Sequence, residues 1–217
     1  MQDNRKAAAP AGQIPVSANN PCPFLRALVA GGYVGGHDVP IAELCRRIEA
    51  ASGEQGMKKT MVGVETYLVA VGANGLGPLR LIKSAASGAV LDELRNGPLD
   101  KHGAGSRILG VTGEVHEDEI DRLASFGMDC KDPSGGGVER GLTAKQIETY
   151  MAANLERAGA AAKFYYPLLM KGEWPVLLNI MGKGEGEARY LSVAEVRTLF
   201  AERRFPDRIV ARLESNG

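Results

Sequence analysis

Asn20-Pro21-Cys22-Pro23-Phe24-Leu25-Arg26-Ala27-Leu28-Val29-Ala30-Gly31-Gly32-Tyr33 reads as a turn, an apolar helix and a glycine stop. Pro23 suits the first helical position, where a missing N–H costs nothing and a fixed φ is already helical. Cys22 is then the N-cap. There its sulfur faces the orphan N–H groups and the positive end of the helix dipole, which favour thiolate over thiol. Thiolate is the form that binds metal or attacks an electrophile. Cys22 is therefore a candidate anionic ligand or nucleophile, set against the plainer role of a small apolar cap between two prolines.

Outward from this stretch the pattern is helical. Residues 1–19 hold Asn4-Arg5-Lys6 and an Ala/Pro/Gly run without the apolar centre of a secretory signal, so they read as a flexible leader and the protein as cytoplasmic. On the other side, helices are expected over Ile41 to about Ala51, Met57 to Val71, Leu79 to Ala86, a short turn at Leu91 to Leu94, and Val115 to Phe126. Glycine and proline joints such as Asn74-Gly75-Leu76-Gly77-Pro78 separate them. No segment alternates convincingly as a strand. The expectation is an all-α, single-domain helical bundle over residues 20–217, long enough to enclose a cofactor.

Composition excludes several classes of function. The chain has 217 residues with 26 basic and 26 acidic side chains, so no net charge draws it to nucleic acid or anionic lipid. Aromatic residues are 6% of the total, few for a base-stacking surface, and no apolar run approaches the ~20 residues of a membrane span. Three cysteines suit reduced thiols better than a disulfide framework. Cys45 shares a helical stripe with Ile41, Leu44 and Ile48, and Cys130 falls in a polar loop.

Two capping boxes mark helices in the C-terminal half. Thr143-Ala144-Lys145-Gln146 starts one that runs to about Ala158, and Ser192-Val193-Ala194-Glu195 starts another that ends before Pro206. Ala144, Ile147, Met151 and Leu155 form an apolar stripe on the first, and Glu148 falls inside it. A carboxyl group on a buried face is driven toward a higher pKa unless paired, with Arg140 one candidate partner. That property suits a proton shuttle near neutral pH.

Pro21-Cys22-Pro23, the Leu-rich turn and Gly32-Tyr33 resemble the proximal segment of the heme-thiolate peroxygenase and chloroperoxidase family. Trp174-Pro175 and the run from Leu191-Ser192-Val193 through Phe200 to Arg204-Phe205-Pro206 resemble that family's closing pattern. The likeness brackets the chain and is weak in its middle. It implies heme b held by Cys22 as axial ligand, with Pro21, Pro23 and Leu25 beside the cofactor. Hydrogen peroxide would be the oxidant and a small apolar or aromatic molecule the substrate. The family's distal acid carries over onto Glu148.

The family's metal motif, Glu-His-Asp followed by serine, leucine and arginine, has its closest match in Val115-His116-Glu117-Asp118-Glu119-Ile120-Asp121-Arg122. His116, Ile120 and Arg122 fit it, whereas Val115 and Glu119 replace a ligand carboxylate and the serine. Glu117 and Glu119, or Glu114, are candidate oxygen ligands for magnesium. His116, or His102 in Leu99-Asp100-Lys101-His102-Gly103, would orient the distal acid. Two alternatives stand beside this: a non-catalytic heme-thiolate sensor or carrier, and a helical binding protein without heme.

Overall fold

The computed structural model describes residues 15–53, 88–95, 105–159, 166, 170 and 173–216. The helices expected over Met57–Val71 and Leu79–Ala86, and the His102 segment, lie outside the described residues.

Helix α1 (Pro23–Ala30) starts where the sequence places it, after a Cys22 with extended φ −85° and ψ 113°. Its face of Phe24, Ala27, Leu28 and Val29 is buried. Strand β1 (Asp38–Val39) leads into α2 (Ile41–Ser52) and pairs antiparallel with β2 (Ala89–Val90). The turn at Leu91–Glu93 is 3₁₀. Helix α3 (Glu117–Phe126) begins two residues later than expected, because Val115 forms a bridge with Leu109 and His116 becomes the N-cap. Glu117, Asp118 and Glu119 occupy its first turn, where the dipole favours acids.

The architecture is mixed α/β, which overturns the all-α bundle. Strands β3 (Met128–Lys131), β4 (Val138–Thr143) and β5 (Tyr190–Ser192) form an antiparallel sheet in the order β3-β4-β5. Cys130, expected in a polar loop, is buried in β3. A Cβ at Gly141 in the central strand would sit 2.3 Å from the Tyr190 ring, so glycine lets β5 approach β4. Helices α4 (Ala144–Ala158), α5 (Trp174–Met181), α6 (Val193–Ala201) and α7 (Asp207–Asn216) complete the described elements.

The sheet joins two copies of one unit. α3, the β3–β4 hairpin and α4 repeat as α5, a short hairpin closed by the Lys183–Tyr190 bridge, and α6. Arg140-Gly141-Leu142-Thr143-Ala144-Lys145-Gln146-Ile147 corresponds to Arg189-Tyr190-Leu191-Ser192-Val193-Ala194-Glu195-Val196. In each, the arginine Nε donates back to a carbonyl near the end of the first helix, Arg140 to Ala124 at 3.0 Å and Arg189 to Leu178 at 3.1 Å. Each first helix stops at an extended glycine, Gly127 or Gly182. Thr149 and Thr198 donate to the carbonyls of Lys145 and Ala194 in the same way. The register pairs Leu142 with Leu191, which are equivalent residues, so a local two-fold axis passes through that pair. Both leucines are buried, each contributing roughly 1.5–3 kcal/mol of transfer free energy.

One continuous core runs from α1 and α2 through the sheet to α7. α1 packs on α6, α2 on α5 and α7, and α3 on α4 and α6. Trp174 is its aromatic centre, edge-on to Tyr150 at 5.4 Å and stacked on Phe200 at 6.1 Å. Phe24 meets Phe205 edge-on at 4.8 Å and ties α1 to the C-terminal segment. Tyr166 and Met170 are buried as well.

Candidate functional site

Cys22 is half-buried at the head of α1, with Pro21, Pro23 and Leu25 in similar positions around it. Its N–H donates to Asn20 Oδ1 at 3.1 Å, an Asx-type turn that aims the chain into the helix. No hydrogen bond of the side-chain capping kind forms at the sulfur, which departs from the expected contact with the first-turn N–H groups. The charge beside it comes from one turn on.

Arg26 is only 2% exposed and lies on the same side of α1 as Cys22 by helical spacing. Its Nη1 donates to the carbonyls of Ser17 (3.1 Å) and Asn20 (3.2 Å), and its Nη2 to Gly113 (3.3 Å). Arg95 grips the same strand from elsewhere. Its N–H reaches Asn19 O at 2.8 Å, its Nε Ala18 O at 3.1 Å and its Nη2 Gly110 O at 3.0 Å. The last residues of the expected leader are therefore tied down. Gly113, at φ 81°, lets the guanidinium lie close, since a Cβ there would stand 3.1 Å from both Nη atoms.

No carboxylate among the described residues pairs with Arg26. Burial, and then the cations of Arg203 and Arg95, push its pKa down, and the Cys22 sulfur opposes them. Two buried donors near Cys22, Arg26 Nε and Asn20 Nδ2, have no hydrogen-bond acceptor among the described residues.

The His-acid motif follows directly on the turn that Arg26 holds. Gly113 N–H closes that turn on Gly110 O, and Thr112 donates to Glu114, which holds the Glu114 carboxyl below its ordinary range. His116 caps α3 at the surface with Nε2 3.6 Å from Glu114. The two candidate magnesium ligands are each taken by an arginine: Glu117 by Arg197, and Glu119 by Arg157 at 2.6 Å. Arg122 donates to Asn154 Oδ1 at 2.5 Å and lies over the Phe126 and Tyr150 rings. Among the described residues no group of three His, Cys, Asp or Glu side chains could hold a metal ion.

Glu148 is exposed. The inward face of α4 is Ile147, Tyr150 and Asn154, so the stripe read from the sequence is rotated and the expected burial of Glu148 is absent. Polar Asn154, 1% exposed, occupies a position that an apolar template passes over. His116 and Glu148 are both solvent-facing, and His102 lies outside the described residues.

A second charged centre joins the two repeats. Lys183 Nζ lies 2.6 Å from Glu139 Oε1, 2.9 Å from Asp132 Oδ2 and 3.7 Å from Glu195 Oε1, and Arg208 closes on Glu195 Oε2 at 2.5 Å. Tyr190 and Ser192 hydroxyls donate to the two oxygens of Glu139 at 2.7 and 2.6 Å. Burial pushes the Glu139 carboxyl up, but hydrogen bonds from Lys183, Ser192 and Tyr190 outweigh it and leave it below its ordinary range. Burial likewise lowers Lys183, and its bonds to Glu139 and Asp132 raise it further than burial lowers it. The Tyr190 phenol is raised by burial and by Glu139, which makes it a donor and not a base. Carboxylates from the β3–β4 hairpin and from the first turn of α6 converge there on one cation. Here the cation is the chain's own ammonium.

No family model, curated protein or solved structure matches the chain. Arg26, Asn20 and Arg95 escaped the sequence reading. For Arg26 a signal was present: a lone cation four residues after the cysteine, flanked by Leu25, Ala27 and Leu28.

Proposed function

We propose that the protein is a heme-thiolate oxidoreductase in which Cys22 supplies the axial sulfur to heme b and hydrogen peroxide is the oxidant, acting on a small apolar or aromatic molecule. The observation that carries this reading is the place of Cys22, half-buried at the head of α1 directly before Pro23, with the buried Arg26 one turn along the same helix. An anionic sulfur at the head of α1 fits that environment. The residues also fit in placement: Cys22 is half-buried, with the apolar Leu25 on the same helix and the motif turn held against it through Gly113.

Heme, if held by the Cys22 sulfur, would supply the redox chemistry with peroxide as oxidant. The chain's part is to hold the sulfur, through the Asn20 turn and the Arg26 and Arg95 clamps, at a fixed point on a rigid helix. Glu148, onto which the distal acid carries over, is exposed.

That exposure, with Glu117 and Glu119 already paired, favours a second reading: a heme-thiolate binder, a sensor or carrier, that does not turn over peroxide. The two share Cys22. The absorption spectrum of heme-loaded protein, reduced under carbon monoxide, tests it. A long-wavelength Soret band of the thiolate type, lost in Cys22→Ala, is expected; the same spectrum in both proteins removes Cys22 from the iron. Peroxide-dependent oxidation of an aromatic dye by the loaded protein then separates enzyme from binder.

A further inference from the structure

Five polar atoms withdrawn from water line the seam between α3 and α4 without a hydrogen-bond partner among the described residues: the Tyr150 hydroxyl, Asn154 Nδ2, Glu119 Oε2, and Arg157 Nε and Nη2. The helices run antiparallel and meet there in three rungs. Phe126 faces Tyr150 with ring centroids 5.4 Å apart, Arg122 Nη1 donates to Asn154 Oδ1 at 2.5 Å, and Arg157 Nη1 donates to Glu119 Oε1 at 2.6 Å. Tyr150, Asn154 and Arg157 stand at i, i+4 and i+7, one stripe of α4. Tyr150 and Asn154 are 0% and 1% exposed, so bulk water does not satisfy them.

Arg157 is used only in part by its ion pair. A guanidinium meets a carboxylate best through two parallel N–H bonds. Glu119 takes one hydrogen through one oxygen, and the two-pronged Nε–Nη2 edge of Arg157 stays open. Asn154 spends its oxygen on Arg122, which leaves its NH2 group as a donor beside the Tyr150 hydroxyl. Arg122 lies over the Phe126 and Tyr150 rings with no carboxylate on it among the described residues, so two guanidinium groups face the single charge of Glu119. A water offers as many donors as acceptors. Open donors that outnumber the one open carboxylate oxygen, with a cation in excess, call for an anion.

We propose that the α3–α4 seam is a binding site for a small oxyanion that keeps one O–H, of the hydroxycarboxylate or hydrogen phosphate type. The open edge of Arg157 holds two of its oxygens or one shared between both hydrogens, Asn154 Nδ2 and the Tyr150 hydroxyl donate to it, and its O–H donates to Glu119 Oε2. None of these groups belongs to the Cys22 segment, and the test needs no heme.

The full chain, purified in chloride buffer, is denatured and its released anions are separated by ion chromatography. The same protein is titrated calorimetrically with glycolate, inorganic phosphate and acetate. An equivalent of oxyanion released on denaturation, or saturable binding of glycolate or phosphate, is expected, and the two arms tell a carboxylate from a phosphate. Acetate, which cannot return an O–H, should bind about tenfold more weakly than glycolate, and equal binding overturns the contact to Glu119. Arg157→Lys keeps a charge for Glu119 and loses the two-pronged edge, so affinity should fall about tenfold. Tyr150→Phe removes a single hydroxyl and should weaken binding about threefold. A protein that releases no oxyanion and takes up none of the three probes holds only water there, which overturns the proposal. So does affinity unchanged in both variants. Should Arg157→Lys fail to fold, Tyr150→Phe decides, since it deletes only a hydroxyl that has no partner in the fold.

Discussion

Arg26 and Lys183 are both cations withdrawn from water, and they are treated in opposite ways. Lys183 sits among three carboxylates supplied by two repeats of one unit, and those carboxylates are met in turn by Tyr190, Ser192 and Arg208. Every charge there is answered inside the fold. Arg26 is met by carbonyl dipoles and a cysteine sulfur, with other arginines as its charged neighbours. The closed network holds the sheet together, whereas the open one is satisfied by backbone carbonyls, with no carboxylate paired to it among the described residues.

The largest expected effect breaks the closed network. Lys183→Met leaves the half-buried Asp132, Glu139 and Glu195 facing one another without their shared cation, which is expected to lower stability. Denaturant unfolding would show it as a lower midpoint. Arg26→Met leaves only carbonyls short of donors and should cost less, about 2 kcal/mol. Equal losses would mean that the two centres do not differ as described.

Acid titration sharpens the contrast. Asp132 and Glu139 both titrate below their ordinary values of 3.8 and 4.5 in the folded protein, for Asp132 because Ser134 and then Lys183 donate to it. Depressed carboxyls contribute stability above the unfolded values, so wild-type stability is expected to drain away as pH falls below about 4.5. In Lys183→Met the repelling carboxylates gain by taking up protons. Its stability should rise as pH drops from 7 toward 5, and a variant that instead loses stability over that range counts against the network. The smallest effect is expected at Glu148, an exposed side chain on the outward face of α4. Glu148→Gln should change peroxide turnover by less than about twofold, within the range of surface substitutions.

Local signals in the sequence were faithful. The Pro23 helix start and the Thr143 and Ser192 caps lie where the residues place them. What failed needed a partner distant in sequence. Gly141 reads as a break until the Tyr190 ring is seen over it, and Asn154 reads as polar until Arg122 reaches it. The rotated stripe on α4 had the same origin. Ala144, Met151 and Leu155 fit an apolar template as well as Tyr150 and Asn154 fit the real neighbours. At the candidate site the cysteine was legible because proline and a helix dipole act locally; its guanidinium neighbour depends on carbonyls at Ser17, Asn20 and Gly113, the last of these far along the chain.

The Leu142–Leu191 pair has a consequence for the ancestry of this lobe. Residues that face their own equivalents across a two-fold axis are what an isologous interface between identical subunits produces. A peptide with a single helix–hairpin–helix unit would leave its strand edge and that leucine bare, and pairing with another copy would cover both. The lobe thus has the form of a homodimer fused into one polypeptide. Its halves differ at the matching step after the glycine, where the second has Lys183 and the first Met128.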